Sequence, residues 1–395
     1  MKHIAIIFES DVFDRKGLFN AVLERSKRLL LTNKYHIEVF GLMYYDNFLT
    51  RLLRRTPLRT LTPQVTIEGV TINLLWQPFR LSDYILSAKL HYKPFLRDLW
   101  RHKIARKFKN FDLIIAHSVS GGSIANNIKS IYDIPFCVVW HGSDIHTYPF
   151  SNKYGYNEVK QIINNADTNF FVSKKLMETA TKITPFQSNW KVSYNGVAKS
   201  FYRYNNEERQ KIRKKYHIHE NAKVIGFVGN LFPIKQAELL PDIFMRIKSQ
   251  YQGEVQFIIA GDGKLRSTIQ QSLQANGILQ ICSMLGNVAT ENILDIMNCI
   301  DLLVLPSKNE GLPLVVVESL KCGTPVVGSD VGGIKEVIGE ENVVSLGEFF
   351  VERFSNRCIE ILNSTIIPPT LPSHFDWDKT VSMELSVFDT ILDKQ

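Results

Sequence analysis

The chain has 395 residues, 45% of them hydrophobic and 22% charged; it is too long for one ordinary core, so two globular domains are expected. No apolar run approaches the ~18 residues that a membrane-spanning helix needs, and the first run, Ile4–Phe8, is too short for the core of a signal peptide. The five cysteines are scattered without a C-x-x-C pair, which favours free buried thiols in a reducing cytoplasm.

The net charge of +8 is unevenly distributed. Residues 1–190 carry 26 Lys and Arg against 15 Asp and Glu, a net of +11, whereas residues 191–395 carry 21 against 24, a net of −3. Leucines and aromatic residues stand among the basic residues of segments 51–59 and 93–109, a mixture typical of contact with an anionic membrane surface. This predicts a cytoplasmic protein attached peripherally to the inner face of the cell membrane. A solvated helix face is the alternative, and no nucleic-acid motif accompanies the charge.

Short apolar, β-rich runs alternate with helical patterns along the whole chain. In the first half, strands are predicted at 3–8, 36–43, 65–75, 111–117, 135–140, 168–173 and 191–194, and helices at 17–32, 84–109, 121–130, 155–165 and 174–183. In the second half, strands are predicted at 223–229, 255–260, 278–285, 302–306, 325–328 and 342–346, and helices at 206–216, 236–250, 264–276, 291–299, 314–322 and 349–363. Two such series predict an α/β protein with two Rossmann-like, doubly wound domains.

The predicted domain boundary falls at Asn195–Gly196, where a strand ends. It separates an amino-terminal domain of residues 1–195 from a carboxy-terminal domain of residues 196–372. An amphipathic helix within residues 373–395 follows a proline-rich stretch and is expected to pack back onto the first domain. Ligands of open α/β sheets bind beyond the carboxyl ends of the strands, so a cleft between two facing domains is the expected site.

Two segments of the first half follow predicted strands and contain candidate ligand-binding residues. Lys16 and Gly17 open the first helix, where a single glycine weakly indicates phosphate contact. His141 follows strand 135–140 and is placed to hydrogen-bond a sugar or to transfer a proton. The alternative is a loop histidine capped by Asp144. His-x-x-Asp is poor metal-ligand spacing, so no metal site is assigned.

Two further patterns are excluded as sites. His117-Ser118, close to Gly121, might be taken for part of a hydrolase, but the chain contains no G-x-S-x-G elbow. Asp376-Trp377-Asp378 has the form of a metal-binding D-x-D motif, but it opens the last helix, far from any strand end.

The second half contains two glycine-containing loops after strands. The first, Gly229–Lys235, places a lysine near the carboxyl end of strand 223–229, where its charge suits a diphosphate. The second, Gly261-Asp262-Gly263, follows strand 255–260. Such a turn is either purely structural or lines a ligand.

The most informative segment runs from Pro306 to Glu318. It follows a buried strand and carries Glu310, then the loop Gly311–Pro313, which is predicted to form the first helical turn together with Leu314. Carboxylates accept hydrogen bonds from sugar hydroxyls, and the free N–H groups at a helix start hold phosphate oxygens. A loop carboxylate, a helix start and a second carboxylate therefore suit a sugar joined to a nucleoside diphosphate.

Together these pieces resemble the retaining glycosyltransferases of glycosyltransferase family 4, which have the GT-B fold. The resemblance runs along the whole chain and is strongest over residues 223–338. The matching pieces are His141-Gly-Ser-Asp144, Tyr194-Asn-Gly-Val197, Gly229…Lys235, Gly261-Asp-Gly263, Leu285-Gly-Asn-Val288, Glu310-Gly-Leu-Pro…Glu318, Gly323-Thr-Pro-Val-Val327, Gly332-Gly333 and Phe375-Asp-Trp377.

The resemblance implies that the carboxy-terminal domain binds a nucleotide-diphosphate sugar and that the amino-terminal domain binds the acceptor. It assigns catalytic roles to Lys235 on the diphosphate, Glu310 on the sugar hydroxyls and His141, which contacts the sugar from across the cleft. The implied donor-binding residues are Glu318 on the ribose, Gly286 and Val288 at the nucleobase, Gly17 near the phosphates, Gly229 and Asn230 in the first loop, and Gly311, Leu312, Pro313 and Leu314 through the amides around them.

One departure from the family pattern concerns the diphosphate. The family usually has Arg directly after the glycine at position 229, and this chain has Asn230. Lys308, two residues before Glu310, is the candidate replacement for the missing cation. Asn230 also favours an alternative function, a non-catalytic nucleotide-sugar or glycan-binding subunit. A nucleotide-sugar epimerase on a related fold is a second alternative.

The expected chemistry is departure of a nucleoside diphosphate from an anomeric carbon. Fixed cations and backbone dipoles directed at the leaving phosphate are the largest available source of rate enhancement. The resemblance implies retention of configuration, with the leaving phosphate taking the proton of the acceptor hydroxyl. We expect no cofactor and no divalent metal, a UDP-hexose as the favoured donor, and a glycan or lipid-linked acceptor.

Overall fold

The computed structural model describes residues 1–13, 17–56, 60–90, 98–364 and 370–394, with the backbone alone for 87–90 and 98–100. Contacts divide the chain into two units. Unit 1 comprises Met1–Asn195 with Asp376–Gln395, and unit 2 comprises Gly196–Phe375. Among the described residues, no helix combines the length and the apolar character needed to cross a membrane.

Unit 1 is built on an eight-stranded sheet of order β3-β4-β2-β1-β5-β6-β7-β8. Its strands are β1 (His3–Glu9), β2 (His36–Asp46), β3 (Gln64–Ile67), β4 (Val70–Phe79), β5 (Leu113–His117), β6 (Phe136–Trp140), β7 (Thr168–Phe171) and β8 (Trp190–Val192). The pairs are parallel except β3 with β4. Strands β5 and β6 are buried along their whole length, as expected for parallel strands covered on both faces.

In chain order, the helices of unit 1 fall between these strands, except for one helix at the carboxyl end of the chain. They are α1 (Gly17–Leu31), α2 (Phe48–Arg54), α3 (Leu81–Leu90), α4 (Asp98–Ala105), α5 (Ser118–Tyr132), α6 (Ser143–His146), α7 (Tyr148–Ser151), α8 (Lys153–Asn165), α9 (Lys174–Ala180) and α17 (Trp377–Leu392). Helix α17 packs against α1 through a buried ion pair between Arg25 and Glu384.

One prediction for unit 1 is wrong in detail. The single strand predicted over 65–75 is an antiparallel hairpin of β3 and β4, because Glu68 and Gly69 both adopt positive φ and reverse the chain. Within the helix predicted over 84–109, the described residues form α3 up to Leu90, α4 from Asp98 to Ala105 and a 3-10 turn at Arg106–Phe108. Residues 91–97 lie outside the described part of the chain.

Unit 2 is built on a six-stranded parallel sheet of order β11-β10-β9-β12-β13-β14. Its strands are β9 (Lys223–Val228), β10 (Val255–Ala260), β11 (Cys282–Gly286), β12 (Leu302–Leu305), β13 (Val326–Ser329) and β14 (Val343–Val344). Its helices are α10 (Asn206–Lys215), α11 (Leu240–Gln250), α12 (Arg266–Ala275), α13 (Thr290–Cys299), α14 (Leu314–Lys321), α15 (Ile334–Ile338) and α16 (Phe350–Asn363).

The strand order of each sheet reverses at one point. In unit 1 the reversal lies between β1 and β5, and in unit 2 it lies between β9 and β12. The loops on the two sides of such a point diverge and leave a crevice at the carboxyl ends of the strands. The two sheets confirm the predicted α/β class of two Rossmann-like, doubly wound units.

Candidate functional site

The loops after β9 and β12 bring together the two central predicted residues of unit 2. Lys235 ends a 3-10 turn that follows β9, and Glu310 lies in the loop between β12 and α14. The Lys235 ammonium nitrogen is 2.5 Å from Oε1 of the Glu310 carboxylate. Because β9 and β12 are neighbours at the reversal of strand order, both loops leave the sheet at the same edge. The structure therefore joins the two predicted residues in one ion pair.

The Glu310 carboxylate is held by a second contact that the sequence interpretation missed. The hydroxyl of Ser307, which is fully buried, donates to Glu310 Oε1 at 2.7 Å. The backbone N–H of Lys308 donates to the carbonyl of Ile234 at 2.8 Å and so connects the two loops. These contacts fix the carboxylate beside the ammonium. The only sequence signal for Ser307 is its place just after a buried strand.

The loop between β13 and α15 supports the backbone of Glu310. Gly332 has φ +54°, and a Cβ at this position would lie 2.0 Å from the Glu310 carbonyl oxygen. The next residue, Gly333, donates its N–H to the carbonyl of Gly311 at 2.7 Å. No larger residue fits at 332 without moving the Glu310 backbone. This gives the Gly332-Gly333 pair a structural role in positioning the site.

The Gly261-Asp262-Gly263 turn is structural in its contacts. A Cβ on Gly261 would lie 2.0 Å from the carbonyl oxygen of Gly229, and the Gly261 N–H donates to the Gly286 carbonyl at 2.7 Å. The backbone N–H of Leu231 donates to the Asp262 carbonyl at 2.9 Å. The turn thus holds the first residues of the loop that leads to Lys235. Of the two interpretations left open by the sequence, these contacts favour the structural one.

Helix α14 begins at Leu314, as the predicted range 314–322 has it, but the turn assigned to Gly311–Pro313 is not helical. Its first residue is Leu314 and its N-cap is Pro313, so Gly311 and Leu312 belong to the preceding loop and not to the first helical turn. The cause is the proline, which disfavours helical backbone in the residue before it. The free N–H groups at the helix start consequently belong to residues from Leu314 onward. Glu318 lies one turn further along α14 and is half-buried.

The other predicted donor-binding residues of unit 2 lie at the carboxyl edge of its sheet. Gly229 and Asn230 follow β9, and Gly286 and Val288 lie at the end of β11; all four are half-buried. The side chain of Lys308 is exposed and lines a surface pocket of about 710 Å³ that includes residues of α11 and α16. The roles of these residues toward a donor stay predictions.

In unit 1, His141 pairs with a histidine that was not assigned a role. His141 follows β6, His117 ends β5, and Nε2 of His141 lies 2.9 Å from Nδ1 of His117. The Asp144 carboxylate accepts the N–H groups of His141 at 2.9 Å and Gly142 at 2.7 Å, as the capped-loop alternative anticipated. His117 therefore belongs to an imidazole pair, which the hydrolase pattern did not suggest.

Burial sets the protonation of this imidazole pair. It lowers the pKa of His117 well below the usual value, and the nearby Arg25 guanidinium lowers it further. Burial is also the main cause of the lowered pKa of His141, followed by His117 and Arg25. Both rings are neutral at pH 7, so one proton lies between the two facing nitrogens. In His141, Nε2 takes part in this hydrogen bond, so the other ring nitrogen, Nδ1, lies outside the pair.

Gly17 is the first residue of α1 and is exposed, with no atom within 4 Å of the position that a Cβ would occupy. Nothing in its packing requires glycine, and its predicted contact with phosphate stays a prediction. Within the described ranges of the chain, no group of three or more His, Cys, Asp or Glu side chains is arranged to hold a metal ion.

Comparison with known proteins agrees with this architecture. Residues 208–370 match the family described as Glycosyl transferases group 1. The chain is 30% identical over 230 residues to TuaC of Bacillus subtilis (strain 168), provisionally named a teichuronic acid biosynthesis glycosyltransferase. That match covers 58% of this chain and 56% of TuaC, so the chain spans about half the length of this relative. It is 27% identical over 385 residues to the uncharacterized glycosyltransferase MJ1178 of Methanocaldococcus jannaschii, covering 93% of this chain and 99% of that protein.

A solved structure shares the fold over nearly the whole chain. HepE of Anabaena, crystallised in complex with UDP-glucose, superposes with a TM-score of 0.70 at 17% identity, covering 99% of this chain and 98% of HepE. At this identity the likeness establishes the fold alone. The family resemblance is confirmed at the level of the group 1 glycosyltransferases, whereas membership of family 4 stays a prediction. The chain therefore contains a glycosyl transferases group 1 domain and has the GT-B fold of two Rossmann-like units.

Proposed function

We propose that this chain is a retaining, family 4 type glycosyltransferase that moves a hexose from a nucleotide-diphosphate donor to a hydroxyl of a glycan or lipid-linked acceptor. The observation that carries the proposal is the Lys235–Glu310 ion pair at the reversal of strand order, inside the group 1 domain. A cation and a carboxylate fixed side by side match the two ends of the bond that must break, a diphosphate on one side and a hydroxylated sugar on the other.

The proposed reaction breaks the bond between the anomeric carbon and the diphosphate oxygen. The acceptor oxygen forms the new bond to the same carbon from the face that the phosphate leaves, and the departing phosphate oxygen takes the acceptor proton. The Lys235 ammonium stabilises the negative charge that develops on the phosphate. Glu310, held by Ser307, accepts hydrogen bonds from the sugar hydroxyls. The N–H groups at the start of α14 are the proposed second source of positive potential for the diphosphate.

In this scheme, groups of the protein stabilise the negative charge of the leaving group, so we propose that transfer needs no divalent metal. The donor is proposed to be a UDP-hexose, and HepE, which has a similar fold, was crystallised with UDP-glucose. Lys308 is proposed to support the diphosphate in place of the arginine that Asn230 replaces. His141 and Gly17 of unit 1 are proposed to contact the donor from their own unit, and Glu318 to bind the ribose.

The testing experiment incubates the purified full chain with UDP-, GDP- and ADP-hexoses, with and without a chelator, and measures release of the nucleoside diphosphate. We expect slow release from one UDP-hexose, unchanged by the chelator and lowered roughly 10²–10³-fold in Lys235→Ala. A donor that raises the thermal stability of the protein without any release of nucleoside diphosphate would indicate a non-catalytic binding subunit. Conversion of the donor into another nucleotide sugar without release would indicate an epimerase. Either result would overturn the proposal.

A further inference from the structure

Two helices on one side of unit 1 expose large apolar side chains to solvent. Phe48 is 72% exposed and Leu52 is 70% exposed, both on α2. We call this surface the α2–α3 face and define it by its exposed residues Phe48, Leu49, Leu52, Leu53, Leu81, Tyr84, Ile85 and Leu86. Helices α2 and α3 contact each other, and large exposed apolar side chains gathered on neighbouring helices are typical of an interaction site.

Helix α2 is held firmly by the side opposite to this face. Asn47 caps the helix, and the buried Thr50 donates its hydroxyl hydrogen to the Phe79 carbonyl at 3.0 Å. Arg54 pairs with Asp46 at 2.8 Å and stacks over the ring of Phe79 at 4.3 Å. The leucines of α2 are therefore exposed by a well-anchored helix and not by a fraying one.

Basic residues lie close to the exposed leucines in the chain. Residues 46–56 and 80–86 contain four arginines and two aspartates, a net charge of +2. The two aspartates are engaged locally, because Asp46 pairs with Arg54 and Asp83 accepts the backbone N–H of Arg80. This region therefore offers a partner exposed apolar side chains together with a net positive charge.

In the second basic segment predicted to touch a membrane, two of the apolar side chains are not exposed. In segment 93–109, Ile104 and Phe108 are buried in the core, so they offer no apolar surface. Residues 93–97 of that segment and residues 57–59 of the first lie outside the described part of the chain. The side chains of residues 98–100 are also outside it. The structure adds the exposed side chains of α3, which the sequence interpretation did not include.

We infer that the α2–α3 face binds the surface of an anionic lipid bilayer. Phe48 and the exposed leucines of α2 would enter the boundary between headgroups and acyl chains, while Arg51 and Arg55 would meet the lipid phosphates. Charge complementarity favours this partner, since the net positive charge of the region matches anionic headgroups and its exposed apolar side chains match the acyl chains. The inference goes beyond glycosyl transfer and is tested without donor or acceptor.

The test is sedimentation of the full chain with vesicles of phosphatidylcholine alone and of phosphatidylcholine mixed with phosphatidylglycerol. We expect binding to the mixed vesicles at low salt, weakened as salt rises. Leu52→Ser should lower partitioning about tenfold because it removes one inserted apolar side chain. Leu31→Ser is the matched control, since Leu31 is 78% exposed at the end of α1 and outside the face.

A charge variant separates the headgroup contact from the apolar one. Arg51→Gln should lower partitioning to the mixed vesicles about fivefold, and Lys160→Gln, at an exposed position of α8, should leave it unchanged. Failure of the wild type to bind the mixed vesicles would overturn the inference, as would equal loss in the Leu31 and Leu52 variants. Self-association abolished by Leu52→Ser, without vesicle binding, would assign the face to a second copy of the chain.

Discussion

Lys235 and Glu310 are 75 positions apart in the chain, yet their ammonium and carboxylate groups lie 2.5 Å apart at the edge of one sheet. Each side chain is largely shielded from solvent, and Ser307 supplies the carboxylate with an additional hydrogen bond. The pair places one positive and one negative group where a diphosphate and a sugar would meet.

The first prediction concerns the cation. Lys235→Ala should lower turnover roughly 10²–10³-fold, because about 3–4 kcal/mol of stabilisation of the leaving phosphate is lost. The measurement is the steady-state release of nucleoside diphosphate from the preferred donor. Lys321→Ala, at an exposed position in the last turn of α14, is the control and should be unaffected. Unchanged turnover in a folded Lys235→Ala protein would contradict the assigned role.

The second prediction concerns the residue that positions the carboxylate. Ser307→Ala removes a hydrogen bond to an ionised group, a contact worth about 1.5–3 kcal/mol. We expect kcat/KM for the donor to fall at least tenfold, while KM for the acceptor stays close to that of the wild type. An equal loss for donor and acceptor would indicate a general structural defect and not mispositioning of Glu310.

The third prediction concerns the loop that supports Glu310. Gly332→Ala places a Cβ 2.0 Å from the Glu310 carbonyl at a left-handed backbone position, so it should destabilise unit 2 by at least about 2 kcal/mol. Gly17→Ala is the matched control, because its Cβ meets nothing within 4 Å. Thermal unfolding of the two variants should show a lower midpoint for Gly332→Ala alone. Equal midpoints would remove the supporting role of Gly332.

The sequence allowed Lys235 and Glu310 to be singled out because both residues follow strands, and neighbouring parallel strands bring such loops to one edge. It did not predict their ion pair. The start of α14 at Leu314 was predicted, but Gly311–Pro313 was also counted as helical, whereas Pro313 is the N-cap. His117 was missed as a site residue because its contact with His141 depends on which strands are neighbours, and a pattern along the chain does not show this. Ser307 was missed for a local reason, since its hydrogen bond to Glu310, three residues further on, depends on the conformation of the loop. The hairpin at Glu68–Gly69 was missed for a local reason, its turn geometry.

The fourth prediction concerns the link between the two ends of unit 1. Arg25 donates to Glu384 at 3.1 Å and to Asn195 Oδ1 at 3.0 Å, and both members of the ion pair are almost fully buried. Arg25→Met should destabilise the protein by about 3–5 kcal/mol, because it leaves the Glu384 carboxylate buried without its cation.

The double variant Arg25→Met/Glu384→Met provides the control for this ion pair. It should be more stable than the sum of the two single changes implies, since neither charge is then left alone. Chemical denaturation of the four proteins gives the coupling free energy. Strict additivity would show that the two groups act independently.

The fifth prediction concerns pH. The folded pKa values of His117 and His141 lie below the ordinary value of 6.5, so the unfolded chain binds more protons as pH falls below 6.5. Stability that is present above pH 6.5 should therefore be lost on acidification, by up to about 1.4 kcal/mol per pH unit for each imidazole. The double variant His117→Gln/His141→Gln should show a flatter dependence of the unfolding midpoint between pH 7 and 5. A dependence as steep as that of the wild type would contradict the assignment.

The most direct test of the account is calorimetric titration of the chain with UDP and with a UDP-hexose. If Lys235 binds the diphosphate and Glu310 binds the sugar, Lys235→Ala should weaken both ligands by the same factor, of about tenfold or more. Glu310→Ala should weaken the UDP-hexose and leave the affinity for UDP close to that of the wild type. Two results would contradict the roles assigned to Lys235 and Glu310. One is wild-type affinity in both variants, and the other is an equal loss of affinity for UDP and for the UDP-hexose in Glu310→Ala.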